Sequence, residues 1–312
     1  MTYKIIQLSH PGKEWPDFSD SENSFVKSRN GLSWDKDYKG GIRDWNNLNQ
    51  HKRKFILSKN ATYIDNLNMR VKQGNITFWG EWEPHSEFSV ISKSSKNFFG
   101  PRMMHIPFYY KDYDGPRRHT TDPFVYGKNF WYTHCKQSSS KPNQNLKNLG
   151  PHSIILMGSE RNLDKTFLID TIFVVKKKYS QEEINKNLDK LSYLLKETNL
   201  KVNDDLLNDT KSADFGFYKG ENYLTDEIFS FVPAKIFDEK NPGHERLEIK
   251  TDDKFYNFQR TGAGSVNKTV FSTLCISEIR EYWMKIVNET LRQGFVLGVR
   301  MPEPKCKSCN WL

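Results

Sequence analysis

One stretch constrains this chain more than any other: Thr166-Phe-Leu-Ile-Asp-Thr-Ile-Phe-Val-Val175, the heart of a strand read over Lys165 to Val175. Successive strand residues face opposite ways, and here both alternating sets are apolar. A strand of this kind needs cover on each face, so it lies inside a sheet with layers packed on both sides. The abrupt Lys176-Lys177-Lys178 is read as its end.

The remaining pattern supplies the layers. Short runs rich in aromatic and β-branched residues predict strands at residues 3–8, Lys54 to Ser58, Asn75 to Glu83, Asn129 to Cys135, Ser153 to Met157 and Phe295 to Val299. Shorter strands are expected near Phe215, Phe229 and Leu247. Ser180 and Glu183 form a capping box that opens a helix, with Ile184, Leu188, Leu191 and Leu195 on one face. A second helix is predicted from about Ser277 to Arg292, striped by Ile279, Trp283, Ile286 and Val287 and stopped by Gly294. Residues 11–50 read as polar loops, and residues 92–128 as irregular chain with turn signals at Gly100-Pro101, Gly115-Pro116 and Asp122-Pro123. There is no internal repeat and no clear linker. The expectation is a single α+β domain over residues 1–312, with a mixed or antiparallel strand-rich core, long loops and two main helices packed on one side.

Charge divides the chain unevenly. Residues 51–178 carry 21 Lys or Arg against 10 Asp or Glu, whereas residues 179–312 carry 19 against 21. A basic segment interleaved with aromatics suits a polyanion, or an anionic small molecule such as a nucleotide. No run approaches the roughly 18 apolar residues of a membrane span. The opening Met-Thr-Tyr-Lys-Ile-Ile-Gln-Leu does not resemble a secretory leader, and four cysteines make no disulfide framework, so a cytoplasmic protein is expected.

The most unusual string is Phe78-Trp-Gly-Glu-Trp-Glu-Pro84. Alternation places Trp79, Glu81 and Glu83 on one face. Two carboxylates beside an indole suit acid/base work, or recognition of a guanine edge with Trp79 stacked on the ring. Glutamates on an exposed strand, paired with nearby cations, give the same string. A second string, Phe130-Trp-Tyr-Thr-His-Cys-Lys-Gln137, offers Trp131 and Tyr132 for stacking and His134 as a proton shuttle. Cys135 points away from His134 in a regular strand, which argues against a Cys/His dyad and for a small buried residue. Asp170, within the apolar strand, requires a partner if buried: a core arginine, backbone amides or a substrate amine. Lys52, Arg53, Lys54, Arg117 and Arg118 are candidate phosphate contacts, as are the loops at His10-Pro11-Gly12 and at Gly262-Ala-Gly-Ser265 after Arg260. Cys306-Lys-Ser-Cys309 has half of a zinc ligand set, and no metal is expected there.

At Phe78 to Pro84, Asp122-Pro-Phe-Val-Tyr-Gly127 and Leu168 to Val175 the chain resembles a group of little-characterised bacterial proteins of nucleotide-modification and phage-defence gene neighbourhoods. The resemblance spans about residues 50–180 and implies a role linked to nucleic acid or nucleotides, without assigning a cofactor. Three function classes stay open. The chain binds or modifies a base in DNA, RNA or a free nucleotide; it is a small-molecule enzyme acting on a nucleotide or sugar, as a glycosidic hydrolase or ribosyl transferase; or it is a non-catalytic interaction subunit.

Overall fold

The structure is a computed structural model, and it describes residues 3–9, 53–84, 86–90, 103–110, 120–135, 137, 146–161, 165–202, 216–259 and 266–307. Fourteen strands, three helices and a 3-10 turn (Leu188–Lys190) are described. The strands are β1 (Tyr3–Ser9), β2 (Arg53–Ile64), β3 (Val71–Glu81), β4 (Ser86–Val90), β5 (Met103–Tyr110), β6 (Trp131–Tyr132) and β7 (Ile154–Arg161). They continue as β8 (Thr166–Tyr179), β9 (Phe217–Gly220), β10 (Val232–Ile236), β11 (Leu247–Lys250), β12 (Val266–Leu274), β13 (Val296–Arg300) and β14 (Lys305–Lys307). The helices are α1 (Gln181–Asn185), α2 (Tyr193–Leu195, continuing as a π-helical turn over Lys196–Leu200) and α3 (Ile276–Arg292).

They build the α+β fold that the sequence implies. One sheet runs β12-β1-β7-β8-β9-β6, with β11 also against β8, and within it only the β1–β7 pair is parallel. The other runs β13-β10-β3-β2-β5-β14, with β4 against β5. Here β13 also pairs with the far end of β2, so β2, β3, β10 and β13 form a closed circuit of ladders. A bulge between Ser58 and Ala61, with Asn60 at φ 55°, bends β2 enough to serve both neighbours.

The two sheets face each other across a core containing Phe173, Val175 and Ile155 from the first and Ile56, Phe78 and Val232 from the second. The opposite face of the first sheet, including Ile172 and Val174, is covered by Trp283, Ile286 and Val287 of α3. Thus β8 is covered on both faces, as its composition requires; its first ten residues are all buried. Against β7 its alternation is broken once. Thr171 pairs with Met157 and Ile169 with Gly158, so Asp170 is the extra residue of a β-bulge. The bulge puts Phe167 and Ile169 in the same cluster as Ile172 and Val174.

Several sequence expectations change. The lysines at 176–178 do not end β8, which runs to Tyr179, because Lys177 and Lys178 still pair with β9. Residues 103–110, expected to be irregular, form β5 beside β4. The helix opened by Ser180 forms its capping box but breaks after Asn185, and Ser192 caps a new start by accepting from the Leu195 amide. α3 holds as read, stopped by Gly294 at φ 73°. Among the described residues no helix is long and apolar enough to cross a membrane.

Candidate functional site

The two sheets are joined at one corner by the segment Phe124 to Gly127. Phe124 bridges to Trp131 of β6, Tyr126 bridges to Met301 just beyond β13, and the Gly127 amide donates to the Met301 carbonyl at 2.8 Å. A cavity of about 660 Å³ opens at this junction. Junctions between packed units are common places for ligands, and the volume suits a nucleotide-sized one.

Its walls come from distant segments brought into register. Trp131 of β6 pairs directly with Lys219 of β9, and Lys219 pairs in turn with Lys177 of β8. Partners directly opposite share a sheet face, so this register sets an indole beside an ammonium. Tyr179, two residues beyond Lys177, packs its ring 5.8 Å from that of Trp131. Ile184, Lys190, Leu191 and Ser192 close one side, and Arg300 and Glu303 another. Among the described residues the charged lining is Lys128, Lys190, Lys219 and Arg300 against Glu303, and the aromatic lining is Phe124, Tyr126, Trp131 and Tyr179. Such a site attracts anions and offers planar apolar faces.

Two of its groups are displaced toward neutrality. Desolvation lowers the Lys219 pKa, and the nearby Lys176 ammonium lowers it further. Desolvation raises that of Glu303, opposed by a hydrogen bond with Ser192. A lysine and a carboxyl shifted in opposite directions around one cavity mark a functional-site candidate. The Tyr126 hydroxyl is buried with no hydrogen-bond partner, and desolvation raises its pKa strongly. A second cavity of about 710 Å³ lies over Arg246, Tyr256 and Phe295, but its four basic side chains face four acidic ones, leaving no excess field for an anion.

Of the residues singled out from sequence, Trp131 lines the junction cavity. The other described ones do not line it. Trp79 is buried, donating its indole N–H to the His244 carbonyl at 2.9 Å, with Phe55 and the Arg246 guanidinium against its ring. Its faces serve packing, not stacking on a base. Glu81 and Glu83 are 7% and 4% exposed and line neither cavity. Glu83 accepts from the Thr120 amide at 3.0 Å and ties the end of β3 to residues 120–121, while the Thr121 hydroxyl donates to the Glu81 carbonyl. Both glutamates are thus buried at the end of β3, apart from these two cavities.

Tyr132 is fully buried, stacked on Tyr218 with ring planes 17° apart, and donates its hydroxyl to the Cys135 carbonyl. His134 is buried between the Thr133 hydroxyl at 2.9 Å and the Thr120 hydroxyl at 3.3 Å. The fold thus brings His134 and Glu83 to either side of Thr120, inside the protein. Below them the Asp122 carboxylate accepts from three successive amides, those of Thr133, His134 and Cys135, an anchor that sequence reading missed. Cys135 is half-buried.

Asp170 is met by a core arginine. Its carboxylate takes a two-pronged bond from Arg246, Nε to Oδ1 at 2.7 Å and an Nη to Oδ2 at 2.8 Å. Lys54 is likewise not at the surface: it is fully buried, its ammonium 3.3 Å from the Pro84 carbonyl and 3.5 Å from the Ser86 hydroxyl. It serves the interior in place of the phosphate contact expected of it. Arg53 pairs through its backbone with Glu81. Lys52, Arg117, Arg118, Cys309 and the loops at 10–12 and 260–265 lie outside the described residues, and Cys306 is exposed.

No family model matches this chain, and neither a curated protein nor a solved structure matches it.

Proposed function

We propose that the protein binds a nucleotide, free or as an unpaired unit of a nucleic acid, in the cavity where the two sheets meet. The observation that carries this reading is the lining itself: four cationic side chains, one carboxylate and four aromatic rings around about 660 Å³. Phosphates are held by lysine and arginine, and an unstacked base is held on an aromatic face, each base worth about 1–3 kcal/mol by alanine substitution. In this reading Lys219, Lys190 and Arg300 receive the phosphates and Trp131 with Tyr179 receives the ring.

Equilibrium binding of the full chain to mononucleotides and to a short single-stranded oligonucleotide tests the reading. Affinity should fall steeply with salt as counterions are recaptured. Lys219→Met should weaken binding to all of these ligands and reduce the salt slope. Absence of binding to every one of them at low salt would refute it.

The opposed shifts of Lys219 and Glu303 favour a second reading, cleavage of a nucleotide's glycosidic bond by acid/base catalysis at the same cavity. Release of free base on incubation with nucleotides distinguishes that reading from binding alone.

A further inference from the structure

We infer that the base taken by the junction cavity is guanine, read by the carboxylate of Glu303. The inference rests on the nucleotide reading above and deepens it.

Among the described residues Glu303 is the only acidic side chain in the lining, whose other charged groups are cationic, and it is flanked on two sides. The Ser192 hydroxyl, which accepts from the Leu195 amide at the start of α2, lies beside the carboxylate and favours its charged form. On the other side the carboxylate rests over Gly127. A Cβ built there would lie 2.7 Å from a Glu303 carboxylate oxygen, and Gly127 sits at φ +76°. Any other residue at that position would be strained and would push the carboxylate away. The side chain itself is exposed, hence open to a ligand.

A lone carboxylate is costly in a phosphate site unless it recognises something. An ionised carboxylate only accepts hydrogen bonds. Among the bases, the guanine Watson–Crick edge presents two adjacent donors, N1–H and N2–H. Adenine and cytosine set one donor beside an acceptor, and uracil sets its donor between two acceptors. Only guanine fills both carboxylate oxygens without bringing an acceptor against one. The aromatic pair Trp131 and Tyr179 lies in the same cavity to hold the ring. A bidentate contact of this type discriminates by roughly 10- to 100-fold.

The test is calorimetric titration of the full-length protein with GMP, IMP, AMP, CMP and UMP in one buffer near neutral pH. GMP should bind about 10- to 100-fold more tightly than AMP, with IMP, which lacks the N2 amine, between them. Glu303→Gln should bring GMP and AMP together while leaving phosphate-driven binding in place. Ser192→Ala, which also removes the cap of α2, should reduce the preference by less. A single cooperative thermal transition in both variants, lowered in Ser192→Ala by no more than the loss of a helix cap, would show that the fold is intact. Equal binding of GMP and AMP by the wild type, or a preference that survives Glu303→Gln, overturns the guanine inference and leaves nucleotide binding standing. Binding of none of the five, nor of the single-stranded oligonucleotide, overturns both.

Discussion

Replacing Asp170 with Asn should cost about 3–5 kcal/mol of folding stability, because it leaves a buried guanidinium without its counter-charge. The side chains of Asp170 and Arg246 are 1% and 4% exposed, and two charge-assisted bonds of 2.7 and 2.8 Å join them. Asn keeps the shape but offers a single acceptor to a two-pronged donor. Removing both charges is a different perturbation: in Asp170→Leu with Arg246→Met no ion stays buried, so the double variant should be more stable than Asp170→Asn. A chain of this size has a urea m-value of about 2–3 kcal/mol/M, so the single substitution should move the midpoint down by about 1–2 M. Urea unfolding followed by tryptophan fluorescence and by far-UV dichroism reads that shift. If Asp170→Asn lies within about 1 kcal/mol of wild type, well below the expected cost of breaking a buried pair, the structural reading fails. Asp170 would then return as a candidate for chemistry.

Other outcomes follow from separate features. Gly127→Ala should destabilise by about 1–2 kcal/mol through its left-handed backbone alone, and should also weaken nucleotide binding by displacing Glu303; unfolding and titration are measured on the same sample. Ser180→Ala removes one half of the capping box and should cost about 1 kcal/mol, read as a lowered thermal midpoint. The raised Glu303 pKa means that the folded state holds that proton more tightly than the unfolded chain. The associated stability is full below the ordinary carboxyl range and fades as pH rises through the raised value. A pH series of unfolding midpoints should therefore show a slope there that Glu303→Gln abolishes, and equal slopes for the two proteins would contradict it. Ser192 lies beside Glu303, and Tyr109 is near enough to feel its charge.

How much of this was legible in the sequence depended on whether local pattern or distant register decided the outcome. The burial of β8 on both faces, the stripe of α3 and the Ser180–Glu183 box all follow from spacing within one segment, and all were readable. The bulge at Asp170 was not. Nothing in Thr166 to Val175 marks where an extra residue shifts the alternation, because that depends on Gly158 in β7, whose lack of a side chain lets the Leu168 carbonyl come close. The run Ile184, Leu188, Leu191 and Leu195 suggested one continuous helix, yet Leu188 is 39% exposed and Ser192 starts a new turn. The cavity escaped for a related reason. Trp131 was visible as an unusual aromatic, but its partners Lys219, Arg300 and Glu303 lie in a stretch with no net positive charge, and only strand register brings them beside it. Counting charge along the chain pointed to residues 51–178, from which the cavity draws Lys128 alone among its cations.

The closed circuit of β2, β3, β10 and β13 has a bearing on self-association. A strand in a ring of ladders has hydrogen-bonding partners on both sides, so it presents no open template to a second molecule. The exposed templates are displaced to the ends of the sheets, where unpaired edges invite other chains. Among the described residues these ends include the three-residue β14, the two-residue β6 and the nine-residue β12. The first two are too short to recruit much. β12 is long enough, but its pairing with β1 is interrupted by two register shifts and it carries Lys268, both devices that discourage a flat intermolecular ladder. Lys268 therefore sits on the longest of these three end strands, and an apolar residue in its place would first be noticed as a loss of solubility.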